Sequence, residues 1–200
     1  AAGLGQTGSA VSEARAVAAA DLAARVTGDL QDLAMAGAEM TIEIKPNPEG
    51  PGPSGAETVE FTLAPNPGMP ARPLRDTASG GELSRVMLAL AASAEGDGRT
   101  LIFDEIDAGI GGSTAGVVGD RLRRVAEGRQ VLAITHLPQV ASRAGRHFSI
   151  SKEASNDLAT ADVTMLSEDQ VVDEIRRMLG AGEGDDAATT HAMKLVEANR

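Results

Sequence analysis

Apolar and polar positions recur along this chain with two different periods, and the two mark out its elements. Residues 12–36 are Ala-rich, and Leu22, Val26, Leu30 and Leu33 fall at spacings of four, four and three. Such spacing puts all four on one face of a long amphipathic helix. Residues 40–44 and 58–63 alternate apolar with polar side chains, as half-buried strands do, and the Pro/Gly/Ser-rich residues 46–55 between them read as a loop. The two predict an antiparallel pair. Residues 65–73 make a proline-rich approach, read as a surface loop. From Glu82, the positions Leu83, Val86, Met87 and Leu90 recur at i, i+3, i+4 and i+7, which specifies a helix with one buried stripe.

The second half reads as strand, helix, strand. Residues 99–103 form a short apolar strand, residues 113–126 a helix with Val118, Leu122 and Val125 inward, and residues 130–135 a second strand. That order implies a right-handed parallel crossover. Residues 147–151 suggest another strand, and Ser167-Glu168-Asp169-Gln170 has capping-box spacing ahead of a helix carrying Val172, Ile175, Met178 and Leu179. Gly180 stops this helix, and a last one runs over residues 186–198. No internal repeat is present.

Three short segments carry chemistry. Ser79-Gly80-Gly81-Glu82 sets a glycine turn at a helix start, where backbone N–H groups and the helix dipole favour an anion. The same four residues also have the spacing of a simple capping box. About 20 residues further on, the apolar strand ends in Asp104-Glu105, two acids able to hold Mg²⁺ and orient water, or merely to form a turn. His136 ends the next strand; a histidine there is more often structural than functional. Ligands of a parallel sheet bind beyond the carboxyl ends of its strands, and the order of all three segments along one chain points to nucleotide chemistry. Gln139, His147 and His191 read as packing or surface residues.

A complete nucleotide site is not encoded here. A P-loop needs G-x-x-x-x-G-K-[ST], and Lys45, Lys152 and Lys194, the only lysines, do not follow a glycine. The chain also starts without Met, as a fragment would. Its 200 residues suit one domain. With 42% hydrophobic but only 2% aromatic residues, the core is aliphatic and little base stacking is available. A net charge of −11 argues against a broad phosphate-binding face on this segment. The absence of cysteine removes disulfides and thiolate metal sites. Neither a signal peptide nor an apolar run of membrane-spanning length appears, so a soluble, cytoplasmic protein is expected.

Ala78-Ser79-Gly80-Gly81-Glu82 resembles the signature loop of ABC-type ATPases, Leu101 to Glu105 their Walker B strand, and Thr135-His136 their switch histidine. A narrower likeness lies in Phe103-Asp104-Glu105-Ile106-Asp107-Ala108-Gly109-Ile110-Gly111-Gly112 with Thr135-His136-Leu137-Pro138-Gln139-Val140, joined by residues 174–180 and His191-Ala192. These are similar to the RecN-type bacterial DNA repair proteins, a branch of the SMC-like ATPases, and the resemblance covers most of residues 12–196. Other SMC-type chains continue their D-loop as Asp-x-x-Leu-Asp, and the Gly-Ile-Gly-Gly run departs from that.

The resemblance implies an α/β fold: the C-terminal lobe of an ABC/SMC-type ATPase head, with a mainly parallel sheet flanked by helices. Residues 1–40 would be a helix from the base of a coiled-coil arm, 41–75 strands and loops, 76–150 the ATPase core lobe, and 151–200 the C-terminal strand and helices. Residues 1–9 match nothing and would be a linker or a frayed arm end. ATP and Mg²⁺ would be the cofactors. Asp104 would hold the metal shell and Glu105 would polarise the attacking water. His136 would sense the γ-phosphate. Ser79, Gly80, Gly81 and Glu82, with Asp107, would bind the nucleotide held on a second, opposing head. Partners would be an N-terminal head segment carrying Walker A, a second copy of the head, and DNA reached through the full-length protein rather than through this acidic piece. The implied role is repair of DNA double-strand breaks and recombination in the nucleoid, the piece alone being inactive. A non-catalytic, nucleotide-dependent dimerisation and DNA-tethering latch, or another SMC-like ATPase, are the other readings.

Overall fold

The computed structural model describes residues 2–76, 80–94, 98–155, 158–182 and 184–198. They form two compact units, Ala1–Glu95 and Gly96–Arg200.

The first unit contains α1 (Ala2–Asp32), β1 (Glu39–Pro46), β2 (Glu57–Ala64), the two-residue β3 (Arg72–Pro73), a single 3-10 turn at Leu74–Asp76, and α2 (Gly80–Ala92). The expected antiparallel pair is β1–β2, in register from Glu39 opposite Ala64 to Pro46 opposite Glu57, and β3 adds to the far edge of β2. The pairing seats Met40 opposite Leu63, both buried. Against them packs the C-terminal end of α1, where Val26, Leu30 and Leu33 are wholly buried as their spacing predicts. Upstream the same helix leaves Val17 72% exposed. α1 therefore docks by its last turns, and the rest is tied down by polar contacts: the Glu57 carboxylate takes the Ser12 hydroxyl and the Arg15 guanidinium. These contacts hold the Glu57 carboxyl below its ordinary range, the Ser12 hydrogen bond contributing most.

One sequence expectation fails in this unit, the buried stripe of α2. Helix α1 begins at Ala2, so residues 2–9 continue the helix. The glycines Gly3, Gly5 and Gly8 hide it, because each costs helix propensity without breaking the helix. In α2 the buried residues are Gly81, Arg85, Val86, Leu88 and Ala89, while Met87 is 48% exposed and Leu83 and Leu90 only partly covered. The stripe is rotated from the one hydrophobicity predicts, and its buried face includes a guanidinium. Burial pushes the Arg85 pKa down, and the nearby Glu82 carboxylate acts the other way.

In the second unit β4 (Thr100–Phe103) and β5 (Gln130–Ala133) pair in parallel, Thr100 beside Gln130 and Phe103 beside Ala133, linked through α3 (Gly112–Val125). Helix α3 buries Ala115, Val118, Leu122 and Val125. At Gly119 it meets the single turn α4 (Pro138–Ala141), where a Cβ would lie 3.2 Å from the Gln139 carbonyl oxygen and 2.7 Å from Arg143 Cγ. Next come β6 (Phe148–Ser155) and β7 (Leu158–Met165), an antiparallel pair in register from Phe148 opposite Met165 to Ser155 opposite Leu158. Strand β7 has no counterpart in the sequence reading, because alternating Ala159 and Ala161 give a weak apolar signal. Parallel pairing among the described residues is confined to β4–β5; the other two sheets are antiparallel.

The chain ends in α5 (Glu168–Met178) and α6 (Asp186–Glu197). Ser167 donates its backbone N–H to Gln170 Oε1 at 2.9 Å, so the predicted capping sequence does start α5. Gly180, at φ +79°, ends that segment with its N–H on the Arg177 carbonyl. Val171, Ile175 and Ala192 form the core between the two helices. Among the described residues no helix is long and apolar enough to cross a membrane.

Candidate functional site

The ends of β4 and β5 are fixed side by side. Beyond the last paired residues, the Phe103 carbonyl accepts the Ile134 N–H at 3.0 Å, which extends the ladder by one bond. Asp104-Glu105 therefore leaves one strand next to where Thr135-His136 leaves the other, as the carboxyl end of a parallel pair requires.

Both acids are exposed. Glu105 adopts φ +56°, a left-handed conformation unusual for a residue with a Cβ. Its N–H is held by Asp104 Oδ1 at 3.0 Å, and its carbonyl accepts the Ala108 N–H at 3.0 Å. The chain turns sharply at Glu105, so the two neighbouring carboxyl-bearing residues differ in backbone state. Strained, non-glycine left-handed residues concentrate at functional sites. Immediately after it the chain dives inward: Ile106 is wholly buried and Asp107 is 3% exposed.

Asp107 is the hub of the site. Its Oδ2 accepts the Thr135 hydroxyl at 2.5 Å and the His136 backbone N–H at 2.9 Å, and lies 3.1 Å from His136 Nδ1. Thr135 Oγ1 in turn accepts the Leu137 N–H at 3.0 Å. The side chain of Asp107 is 4% exposed and that of His136 73%. A buried carboxylate thus grips the base of an imidazole whose remainder faces solvent. Sequence reading placed Asp107 among the nucleotide contacts; the structure turns its carboxylate inward to Thr135 and His136. The role of the Thr135 hydroxyl was missed altogether. An acid set between apolar Ile106 and Ala108, directly after a strand, was the signal available for an inward carboxylate.

Among the residues of the glycine turn, Gly80 opens α2 and is exposed, Gly81 is buried and Glu82 is half-buried. Ser79, with Thr77 and Ala78, lies outside the described residues. His147 has a structural role, its Nε2 2.8 Å from the Ala141 carbonyl, and His191 is exposed on α6. No cluster of three or more His, Cys, Asp or Glu able to hold a metal occurs among the described residues.

No protein-family profile matches the chain. Among curated proteins it is 43% identical to the DNA repair protein RecN of Streptomyces coelicolor, over 98% of this chain and 37% of that protein. It is 42% identical to RecN of Xylella fastidiosa over 96% of this chain and 35% of the relative, and 39% identical to RecN of Deinococcus radiodurans over 96% and 34%. The chain therefore spans little more than a third of the length of the relatives it matches. Among solved structures it resembles the Smc head domain with a coiled coil and joint from Pyrococcus yayanosii, at 18% identity and a TM-score of 0.55, covering 82% of this chain and 29% of that one. A Smc head domain with an extended coiled coil from Pyrococcus furiosus gives 19% identity and a TM-score of 0.52, with 79% and 37% covered. The fold is that of part of an SMC-type head.

Proposed function

Because this chain belongs to the RecN family of DNA repair proteins, we propose that it is the C-terminal lobe of an SMC-like ATPase head acting in DNA double-strand break repair and recombination, with ATP hydrolysed between two engaged heads. One observation carries the reading: Asp104-Glu105 and His136 emerge side by side from the paired ends of β4 and β5. An acid pair beside an imidazole at the carboxyl end of parallel strands is the arrangement that phosphoryl transfer to water uses.

The residues present fit Mg-ATP. Asp104 would contribute to the Mg²⁺ shell, directly or through water, and the metal would neutralise charge on the phosphates when bound. Glu105 would accept a hydrogen bond from the attacking water and take its proton. His136 would face the γ-phosphate. The N–H groups of Gly80 and Gly81, with Ser79 and Glu82, would meet the phosphates of ATP carried by an opposing head. Residues 1–40 would start from a coiled-coil arm, with 76–150 forming the core lobe and 151–200 completing it.

Unpartnered apolar faces support a missing segment of the head. Ile102, Leu132 and Ile134 stand 69%, 43% and 52% exposed on one face of β4–β5, although parallel sheets are nearly always covered on both faces. On β6–β7 the facing pairs Phe148 with Met165 and Ile150 with Val163 are likewise exposed. An N-terminal segment bearing the Walker A loop would cover such faces and supply the lysine this chain lacks. DNA would be engaged by the full-length protein, since the net charge of −11 disfavours this piece as a DNA-binding face. The setting would be the bacterial cytoplasm, on the nucleoid.

The test is reconstitution with the N-terminal head segment of the same protein. The mixture is expected to hydrolyse Mg-ATP and Glu105→Gln to abolish turnover while preserving ATP binding. Normal hydrolysis by the Glu105→Gln assembly would remove the acid pair from the chemistry and with it this reading of the site.

A further inference from the structure

Resting on the reading of His136 as the phosphate-facing imidazole, we infer that Asp107 is the positioning residue that sets the tautomer and aim of His136. Asp107 Oδ2 lies 3.1 Å from His136 Nδ1 and accepts the His136 backbone N–H and the Thr135 hydroxyl as well. An ionised carboxylate offers only lone pairs, so its approach to 3.1 Å favours the tautomer with the hydrogen on Nδ1. In the neutral ring Nε2 is then the unprotonated nitrogen, on a side chain that is 73% exposed. Nε2 would therefore be the acceptor nitrogen of the neutral ring.

Orientation follows from the same oxygen. Holding the backbone and the ring of one residue together, Asp107 restricts the ring's rotation about its side-chain bonds, while Thr135 Oγ1 fixes the following turn through the Leu137 N–H. The Asp107 side chain is itself only 4% exposed. It cannot touch solvent-borne ligand atoms, so its effect on hydrolysis must pass through His136.

Nitrogen-15 NMR of the full chain tests the tautomer without any ATPase activity. Correlations between ring carbon-bound protons and ring nitrogens are expected to show neutral His136 with Nδ1 protonated. Asp107→Ala removes the one oxygen that faces Nδ1, the His136 backbone N–H and the Thr135 hydroxyl. It is expected to shift His136 towards the Nε2-protonated form. In the reconstituted head the same variant should lower kcat on the order of tenfold or more with little change in KM for ATP. A wild-type His136 protonated at Nε2, or an Asp107→Ala spectrum identical to wild type, would overturn the inference; the wild-type spectrum decides even if the variant does not fold. His136→Ala probes the other layer: unchanged turnover there would sink the phosphate-facing role of His136 while leaving the tautomer result standing.

Discussion

Asp104 Oδ1 accepts the backbone N–H of Glu105 at 3.0 Å, and Glu105 stands in a left-handed conformation at φ +56°. A residue with a Cβ gains nothing structural from that conformation, which glycine adopts without penalty. Glu105→Gly is therefore expected to melt no earlier than wild type in calorimetry of the chain, while reconstituted turnover falls on the order of 10²-fold or more, as for loss of a positioned base. A variant that loses activity only in proportion to lost folding would assign Glu105 to the turn instead.

The isolated chain should neither bind Mg-ATP tightly nor hydrolyse it, because the lysine-bearing loop that wraps the phosphates is absent from its sequence. Titration calorimetry checks this. Micromolar binding by these residues alone would contradict a head divided between two segments.

The exposed faces make a separable prediction. Ile102→Ser should leave the melting of the chain within about 0.5 kcal/mol of wild type, since its side chain is already 69% exposed. Co-purification with the N-terminal segment should weaken measurably. Undiminished association would show that the face of β4–β5 is covered by something else or left bare.

Close approach of α3 and α4 at Gly119 admits little more than hydrogen: the Gln139 carbonyl is 3.2 Å from a Cβ placed there. Gly119→Val should cost about 1–3 kcal/mol in denaturant unfolding through overpacking. The displaced turn α4 directly follows Leu137, so His136 resonances should also shift. A neutral substitution would mean that α4 yields freely.

Acidification should loosen α1 before the rest of the first unit. The Glu57 carboxyl is held below its ordinary value of 4.5 by the Ser12 hydroxyl and then Arg15. A depressed folded-state pKa means this contribution is full above the unfolded value and fades as pH falls through the lower, folded one. Hydrogen exchange of residues 10–20 should speed up over that acid range in wild type. Glu57→Gln should abolish the acid-dependent part, and an unchanged profile would rule out Glu57 as the tether.

The sequence by itself determined the order of chemistry along the chain and most of the local structure. Leu22 to Leu33 at helical spacing, the alternation around Met40 and Leu63, and Ser167 with Gln170 before α5 are signals carried by neighbours a few residues apart, and each produced its element. The placing of Asp104 and His136 just past two parallel strands was legible for the same reason: short apolar runs on either side of a helical pattern mark the strands. What only the tertiary structure decided are directions. Hydrophobicity nominates Met87 for the buried stripe of α2, yet neighbouring elements cover Arg85 and Leu88, since which face is buried depends on what packs there. The resemblance implied a nucleotide contact for Asp107; its bonds to Thr135 and His136 arise because β4 and β5 pair in parallel and bring residues 28 and 29 positions apart within hydrogen-bond reach. Glu105 likewise showed no sign of its left-handed backbone, which is imposed by the turn that carries the chain from an exposed acid pair to a buried carboxylate. Local pattern fixes elements; partner contacts across sequence distance fix where their side chains point.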